Sequence, residues 1–253
     1  MMVLLISKSP RSVCRYTGGM NTIKLVVATL IVVLGGHAMA QDDAEPEARD
    51  YVFVFIKTGP EDANLTGDAR SEAFAGHFSN MERMAVAGDL LIAGPFFDPK
   101  ADPDHRGLWV FDTDSLEEGM AFGKTDPTTK LGVFVLEGHI FTTDDPLTKL
   151  HELDMKALEE QDEDAPPGSN ARAYVLATAP YDDALYQSVA KNTNVFIAGK
   201  LHGSGEDGAD QILIWIDAEN TQGASEITDQ LGGDWTLHGW FGSKSIALFS
   251  RTD

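Results

Sequence analysis

One histidine on a predicted helix has the side chain best suited to proton transfer in this sequence. His77 follows Phe74 by three residues and precedes Met81 by four, which places it on or beside the apolar face of that helix. An imidazole with an unperturbed pKa of about 6.5 can act as a general base near neutrality. The competing interpretation is a core histidine satisfied by one hydrogen bond, and the spacing allows both.

A second candidate is the carboxylate of Asp126, which directly precedes Pro127. Aspartate at an N-cap with proline at the first helical position is a common way to begin a helical turn, so a structural role is the first expectation. A carboxylate can also orient a catalytic imidazole and fix its tautomer. The capping role and the orienting role would compete for the same oxygens.

Two further motifs point to structure rather than chemistry. Gly203–Gly208 spells G-x-G-x-x-G, but a strand follows it where a dinucleotide site requires a helix, so we expect a hairpin turn. Asp98, Asp102, Asp104 and His105 crowd one loop, and their spacing matches no EF-hand. A solvated loop is therefore favoured over a calcium site.

No metal or cofactor is expected from the remaining residues. The sequence contains no G-x-S-x-G, no P-loop and no basic aromatic stripe. The tryptophans lie in or beside predicted strands, where core packing is the default. The histidines that follow the apolar N-terminal segment show no paired spacing for zinc; they are His77, His105, His139, His151, His202 and His238.

Met20–Ala40 has the three parts of a secretory signal. Lys24 supplies the positive region, Leu25–Gly36 is the apolar region, and Ala38-Met39-Ala40 is a small-x-small cleavage site. The apolar run is shorter than the roughly 20 residues of a transmembrane helix. We expect cleavage after Ala40 and a periplasmic or secreted protein that no longer contacts the membrane.

The true start of the chain stays open between Met1 and Met20. The segment from Met20 is a complete signal by itself, so residues 1–19 are either an extended positive region or an upstream mis-start. The single cysteine, Cys14, lies before the apolar run. Cleavage would leave no thiol, which excludes disulfides, thiolate metal sites and a cysteine nucleophile.

The charge of the chain excludes some classes of partner. Removal of residues 1–40 takes away four basic residues and no acidic one, leaving 15 basic against 40 acidic residues, a net charge of −25. Such a charge argues against nucleic acid and anionic membranes as partners. The acids are spread along the chain, which is typical of a solvated surface.

After a polar leader at 41–50, the predicted elements follow the order β-α-β-β-α-β, the split βαβ unit of ferredoxin-like folds. Leu108 with Leu213 and Asp112 with Asp217 share an offset of 105 residues, as Gly94 does with Gly199, which indicates an internal repeat. We predict a first unit at 51–143, a helix and acidic linker at 144–171, and a degenerate second unit at 172–253.

The predicted fold class is α+β, with tandem ferredoxin-like units. A four-stranded sheet with helices on one face needs a cover for its other face, and two such sheets packed face to face provide it. One chain carries both units and can form an intrachain pseudo-dimer of the dimeric α/β-barrel type. A monomer with this internal pseudo-dimer and a homodimer both remain open.

The first unit resembles the YCII-related domain family. The resemblance rests on AFAGHFSNMERMAVAGDLLIAGPF at residues 73–96 and on HRGLWVFDTDSLEEGMAFGKTDPTTKLGVFVLEGHIF at 105–141. It implies a dimeric α/β-barrel fold and a site that pairs His77 with Asp126. The second unit departs from the pattern, because Tyr181–Lys191 contains no histidine and Gly232-Gly233 stands in place of Asp-Pro. One site per chain is expected.

Two hypotheses of function follow. The resemblance implies similarity in form to small lactone and aromatic-ring enzymes, and a few family members are dehydrohalogenating lyases. The chain would then be a cofactor-free lyase or isomerase acting on a small cyclic or aromatic molecule, with His77 as base and Asp126 as its partner. The alternative is a non-catalytic module of the cell envelope that binds a small molecule or a protein. An approach of the two side chains beside a pocket would favour the enzyme.

Overall fold

The computed structural model describes residues 47–162, 164–166, 168–205 and 208–248. The predicted signal segment, its cleavage site and most of the polar leader lie outside these ranges. Within the described part of the chain, no helix is long and apolar enough to cross a membrane.

The first half follows the predicted order, with one additional short helix. The long helix α1 ends where Gly88 adopts φ 83°, a left-handed conformation that glycine tolerates without strain. The elements are β1 (Arg49–Thr58), α1 (Gly67–Ala87), β2 (Leu90–Pro95), β3 (His105–Phe111), α2 (Leu116–Gly123), α3 (Pro127–Lys130) and β4 (Phe134–Thr143).

The second half repeats the first in shortened form. Its first helix, α5, has 7 residues where α1 has 21. The predicted last strand or strand pair is a single strand followed by a 3-10 helix. The elements are α4 (Leu147–Glu160), β5 (Ala171–Pro180), α5 (Asp183–Val189), β6 (Val195–Leu201), β7 (Gln211–Ile216), α6 (Thr221–Leu231), β8 (Thr236–Ser243) and the 3-10 helix Lys244–Leu248.

The eight strands in the described part of the chain form one antiparallel sheet with the order β2-β3-β1-β4-β6-β7-β5-β8. The first four strands and the last four follow the same internal order, as an internal repeat requires. The register agrees: Gly94 pairs with Leu108, and Gly199 pairs with Leu213. These pairs are related by the 105-residue offset of the sequence, so the tandem fold is confirmed.

The two half-sheets are joined at both edges. β4 pairs with β6 at Phe141 and Leu201, and a bridge between Phe96 and Trp240 links the end of β2 to β8. These two junctions are equivalent under the repeat, and together they close the sheet into a barrel. The sequence predicted two sheets facing each other; the edge-to-edge closure could not be predicted from it.

Strand β1 is buried on both faces, which explains its continuous apolar sequence. Tyr51, Phe53 and Phe55 point into the barrel, where they pack with side chains of the second half such as Trp215 and Trp240. The alternate residues Val52, Val54 and Ile56 point outward and pack against α1 and its neighbours. The helices of the first half therefore cover the outer face of the barrel.

Candidate functional site

His77 lies on the face of α1 that packs against the sheet, as the spacing predicts. It is 7% exposed. The rings of Phe74, Phe78, Trp109 and Phe134 surround its imidazole at centroid distances between 5.1 and 6.1 Å. The imidazole therefore sits in an apolar environment, where a hydrogen bond to one of its nitrogens has a strong influence on its chemistry.

Asp126 begins α3 and is completely buried. Its Oδ1 accepts hydrogen bonds from the backbone N of Thr128 at 2.9 Å and from the Thr128 hydroxyl. Its Oδ2 lies 2.9 Å from Nδ1 of His77. The two roles that the sequence left in competition use different oxygens, so Asp126 caps the helix and contacts the histidine at once.

The carboxyl of Asp126 is held in its charged form. Burial alone would raise its pKa, but the hydrogen bonds from His77 and Thr128 outweigh burial, and the pKa lies below the ordinary value of 3.8. An ionised carboxylate can only accept, so Nδ1 of His77 carries the proton of this hydrogen bond. In the neutral ring, Nε2 is then the nitrogen with a free lone pair, the atom that a general base requires.

A glycine in α1 allows this helix to approach α3 closely enough for His77 to contact Asp126. Gly76 precedes His77 in the middle of α1, and a Cβ atom there would lie 2.9 Å from Cγ of Pro127. Glycine inside a helix destabilises it by roughly 1 kcal/mol relative to alanine. The close contact with the proline that follows Asp126 gives a structural reason for this residue.

His77 lines a cavity of about 430 Å³. Sites for small molecules typically measure roughly 300–1,000 Å³ and are mostly apolar with a few polar groups. The cavity runs from beneath α1 across β2 to α4. Its apolar lining includes Phe74, Phe78, Met81, Leu90, Leu91, Trp109, Phe134, Met155 and Leu158, and its polar lining is Arg70, His77, Arg106, His151, Asp154, Asn170 and Ser243.

Two arginines of the lining share one carboxylate. Nη2 of Arg70 lies 2.8 Å from Oδ1 of Asp62, and Nη2 of Arg106 lies 2.6 Å from Oδ2. Nε of Arg106 is buried and has no hydrogen-bond partner in the described residues. An unsatisfied buried donor is unfavourable by roughly 1–3 kcal/mol, so this N–H is a natural contact for a ligand oxygen.

The opposite wall of the cavity belongs to α4 and the chain that follows it. Oδ1 of Asp154 accepts hydrogen bonds from Nδ2 of Asn170 at 3.0 Å, from Oγ of Ser245 at 3.2 Å and from the Ser243 hydroxyl. These contacts tie α4 to the C-terminal end of β8. The predicted linker helix is therefore part of the cavity wall.

Two other histidines lie close together near the junction of β2 and β8, and neither of them lines the cavity. The rings of His105 and His238 are 5.6 Å apart, and Nδ1 of each is buried without a partner in the described chain. Burial is the larger cause and the neighbouring His105 the smaller one, and together they lower the pKa of His238 to about 4. Burial also lowers the pKa of His105.

Sequence reasoning placed His77 and Asp126 together through the family resemblance, and the structure brings them into contact. It did not identify Gly76, Arg70 or Arg106. The only signal for Gly76 was a glycine inside an apolar helical pattern. Within the described ranges, no three His, Cys, Asp or Glu side chains are grouped in a way that could hold a metal ion.

Comparison with known proteins gives matches in structure only. No protein-family model matches this sequence, and no curated protein sequence matches it. A mutant of chlorite dismutase from Candidatus Nitrospira defluvii superposes with a TM-score of 0.50 at 14% identity, covering 81% of this chain and 96% of that one. A second mutant of that enzyme, in complex with cyanide, gives 0.49 at 14% identity, with coverages of 81% and 95%.

A provisionally assigned monooxygenase from Lactobacillus acidophilus superposes with a TM-score of 0.42 at 12% identity, covering 76% of this chain and 93% of that one. At such low identity the similarity shows the fold alone. The chain has the fold known as the dimeric α/β barrel, which it shares with chlorite dismutase.

Proposed function

We propose that this protein is an exported, YCII-related lyase or isomerase that acts without a cofactor on a small cyclic or aromatic molecule. One observation carries the proposal: Nδ1 of His77 is 2.9 Å from the buried carboxylate of Asp126, and the same imidazole lines a cavity of about 430 Å³. A histidine needed only for packing would require neither a charged partner nor an adjoining cavity.

The reaction begins with removal of a proton from carbon. Nε2 of His77 takes the proton, and the electron pair of the broken C–H bond moves into an adjacent carbonyl or expels a leaving group from the neighbouring carbon. Asp126 stabilises the resulting imidazolium through its hydrogen bond to Nδ1. The imidazolium then returns the proton to another carbon in an isomerase, or releases it to water in a lyase.

The cavity lining supports the choice of substrate class. Aromatic rings and apolar side chains cover most of its surface, and flat rings pack well against such walls. His77 itself is only 7% exposed to solvent. Both features favour a compact ring compound over an extended polar chain.

The alternative is a module that binds a small molecule without reacting with it. This alternative has a specific support: His77 is 7% exposed and is surrounded by four aromatic rings, as in a satisfied core histidine. In that case the Asp126 contact would serve packing. The cavity would then hold its ligand without converting it.

Export and the state of assembly belong to the same proposal. The signal segment at 20–40 directs the protein to the periplasm or the outside of the cell. Closure of the barrel within one chain supports a monomer, because both edges of each half-sheet are already paired. We propose a small molecule as the partner and no nucleic acid.

Ligand capture by the purified mature protein tests the function. Wild type and His77→Ala are incubated with a metabolite extract, washed, and analysed by mass spectrometry after different times. The enzyme proposal expects a captured compound that wild type converts with time and that His77→Ala retains unchanged. Retention without conversion by both proteins would favour the binding module.

A further inference from the structure

We propose that the substrate of this cavity carries a carboxylate, which binds at Arg106 and Arg70 while the ring occupies the apolar part. The substrate class is then a small aromatic or alicyclic carboxylate. The inference rests on the proposed function for the choice of cavity, but it makes no use of the chemistry of His77.

The charge at this wall of the cavity is positive. Two guanidinium groups share the single carboxylate of Asp62, one on each oxygen, so one positive charge is left uncompensated within the group. The mature chain has a predicted net charge of −25, so a local excess of positive charge is unusual on this protein. Arg70 and Arg106 each expose about a third of their side chains, 34% and 33%, so a ligand can reach them.

The two arginines have different roles in this site. Nη1 of Arg70 donates to the backbone oxygens of Asp62 at 2.7 Å and Leu65 at 3.2 Å, and its guanidinium lies over the ring of Phe74 at 5.0 Å. These contacts hold Arg70 in place as a fixed charge. Arg106 uses Nη2 for Asp62 and keeps a buried Nε–H without a partner in the described residues.

The chemistry of a guanidinium selects the ligand. A charge-assisted hydrogen bond from arginine to a carboxylate is roughly twice as strong as one between neutral groups. The carboxylate that lines the cavity elsewhere, Asp154, accepts three hydrogen bonds and belongs to the α4 wall. The acid group of a ligand is therefore best placed at Arg106, with its ring directed toward His77.

A matched pair of probes tests the inference. 2-Naphthoate and 2-naphthamide have nearly the same shape and differ in charge, and their dissociation constants can be measured by calorimetry with the mature wild-type protein. We expect the carboxylate to bind about 10–100-fold more tightly than the amide. This ratio corresponds to the usual contribution of a hydrogen bond to a charged group. Equal affinities, or no binding of 2-naphthoate at millimolar concentration, would overturn the inference.

Variants separate the role of Arg106 from a general effect on the fold. Arg106→Gln should remove most of the preference for 2-naphthoate and leave the affinity for 2-naphthamide unchanged. Arg83→Gln, on the exposed face of α1, is the matched control and should change neither affinity. An equal loss for both probes in Arg106→Gln would mean a damaged cavity and would count against the inference.

NMR can observe the Arg106 Nε–H donor directly in the wild-type protein, so this test does not require a variant. The ¹⁵N–¹H signal of the Arg106 Nε group should shift on addition of 2-naphthoate and not on addition of 2-naphthamide. If wild type binds 2-naphthoate through Arg106 but converts no captured compound, the carboxylate site stands and the catalytic proposal fails. An unmoved Nε signal in wild type defeats the carboxylate site.

Discussion

His77 and Asp126 are 49 residues apart in the sequence, yet Nδ1 of the imidazole lies 2.9 Å from Oδ2 of the carboxylate. The other oxygen of Asp126 caps α3. One side chain therefore fixes the start of α3 and the tautomer of a histidine in the neighbouring helix α1. Because Asp126 has both roles, its replacement by asparagine is an informative substitution.

Asp126→Asn should separate the two roles. Asparagine caps helices about as well as aspartate, so we expect the free energy of unfolding to fall by only about 1–2 kcal/mol. An amide would donate to Nδ1 of His77, which leaves the proton on Nε2 and removes the base. Turnover of the captured substrate should fall by about 10³–10⁴-fold.

The matched control for that variant is Asp182→Asn, which changes the N-cap of α5 in the second half. Activity should remain at the wild-type level there. Thermal melts and initial rates of both variants provide the comparison. An Asp126→Asn enzyme with full activity would show that the hydrogen bond to His77 has no catalytic part.

Gly76→Ala should lower activity although alanine favours helices. The new Cβ would lie 2.9 Å from Cγ of Pro127 and push α1 away from the turn that carries Asp126. We expect at least about a tenfold loss in kcat, since small displacements of catalytic groups can cost about 10²-fold. The neighbouring Ala75→Gly should lose about 1 kcal/mol of stability and keep its kcat. The reverse outcome would refute the spacing role of Gly76.

Stability should fall in mild acid because of His238. Its pKa is about 4 in the folded protein, where burial acts first and His105 second, and 6.5 in the unfolded chain. Below pH 6.5 the unfolded chain binds a proton that the folded protein refuses, so stability decreases as the pH falls from 6.5 toward 4. The loss is roughly 3 kcal/mol over that range.

Urea denaturation at several pH values measures this effect. His105 faces the His238 ring and Asp102 is the nearby acid, so both contribute to the titration. In His238→Gln, the free energy of unfolding should depend less steeply on pH between 6.5 and 4. An unchanged slope in that variant would place the acid sensitivity elsewhere.

Intact-mass measurement of the protein from its native envelope tests export. The small-x-small site after the short apolar run predicts a mature chain that begins at Gln41 and carries no lipid. A mass that includes residues 25–36 would contradict the export proposal.

Local patterns were sufficient for the element order and for the repeat. The run at β1, the helical spacing of His77 and the Asp-Pro turn each depend on neighbours in the sequence, and each was found where expected. Pairing His77 with Asp126 required the family resemblance, because residues that meet only through the packing of α1 on α3 leave no local signal.

The closure of the barrel and the arginine pair could not be predicted for the same reason. The bridge from Phe96 to Trp240 joins segments 144 residues apart, and Asp62 pairs with Arg106, which lies 44 residues further along the chain. Such contacts depend on how complete elements come together. The glycine at 76 offered a weak signal, since a helix interior normally disfavours that residue.

The central claim is that His77 removes a proton from carbon. Wild type and His77→Ala are incubated in D₂O with the compound that His77→Ala captures, and deuterium at its carbon atoms or in its product is followed by NMR. Wild type should exchange or convert the compound about 10²–10⁴-fold faster than the variant, the usual range for general acid–base catalysis. Equal rates in the two proteins, with the ligand bound in both, would contradict the claim.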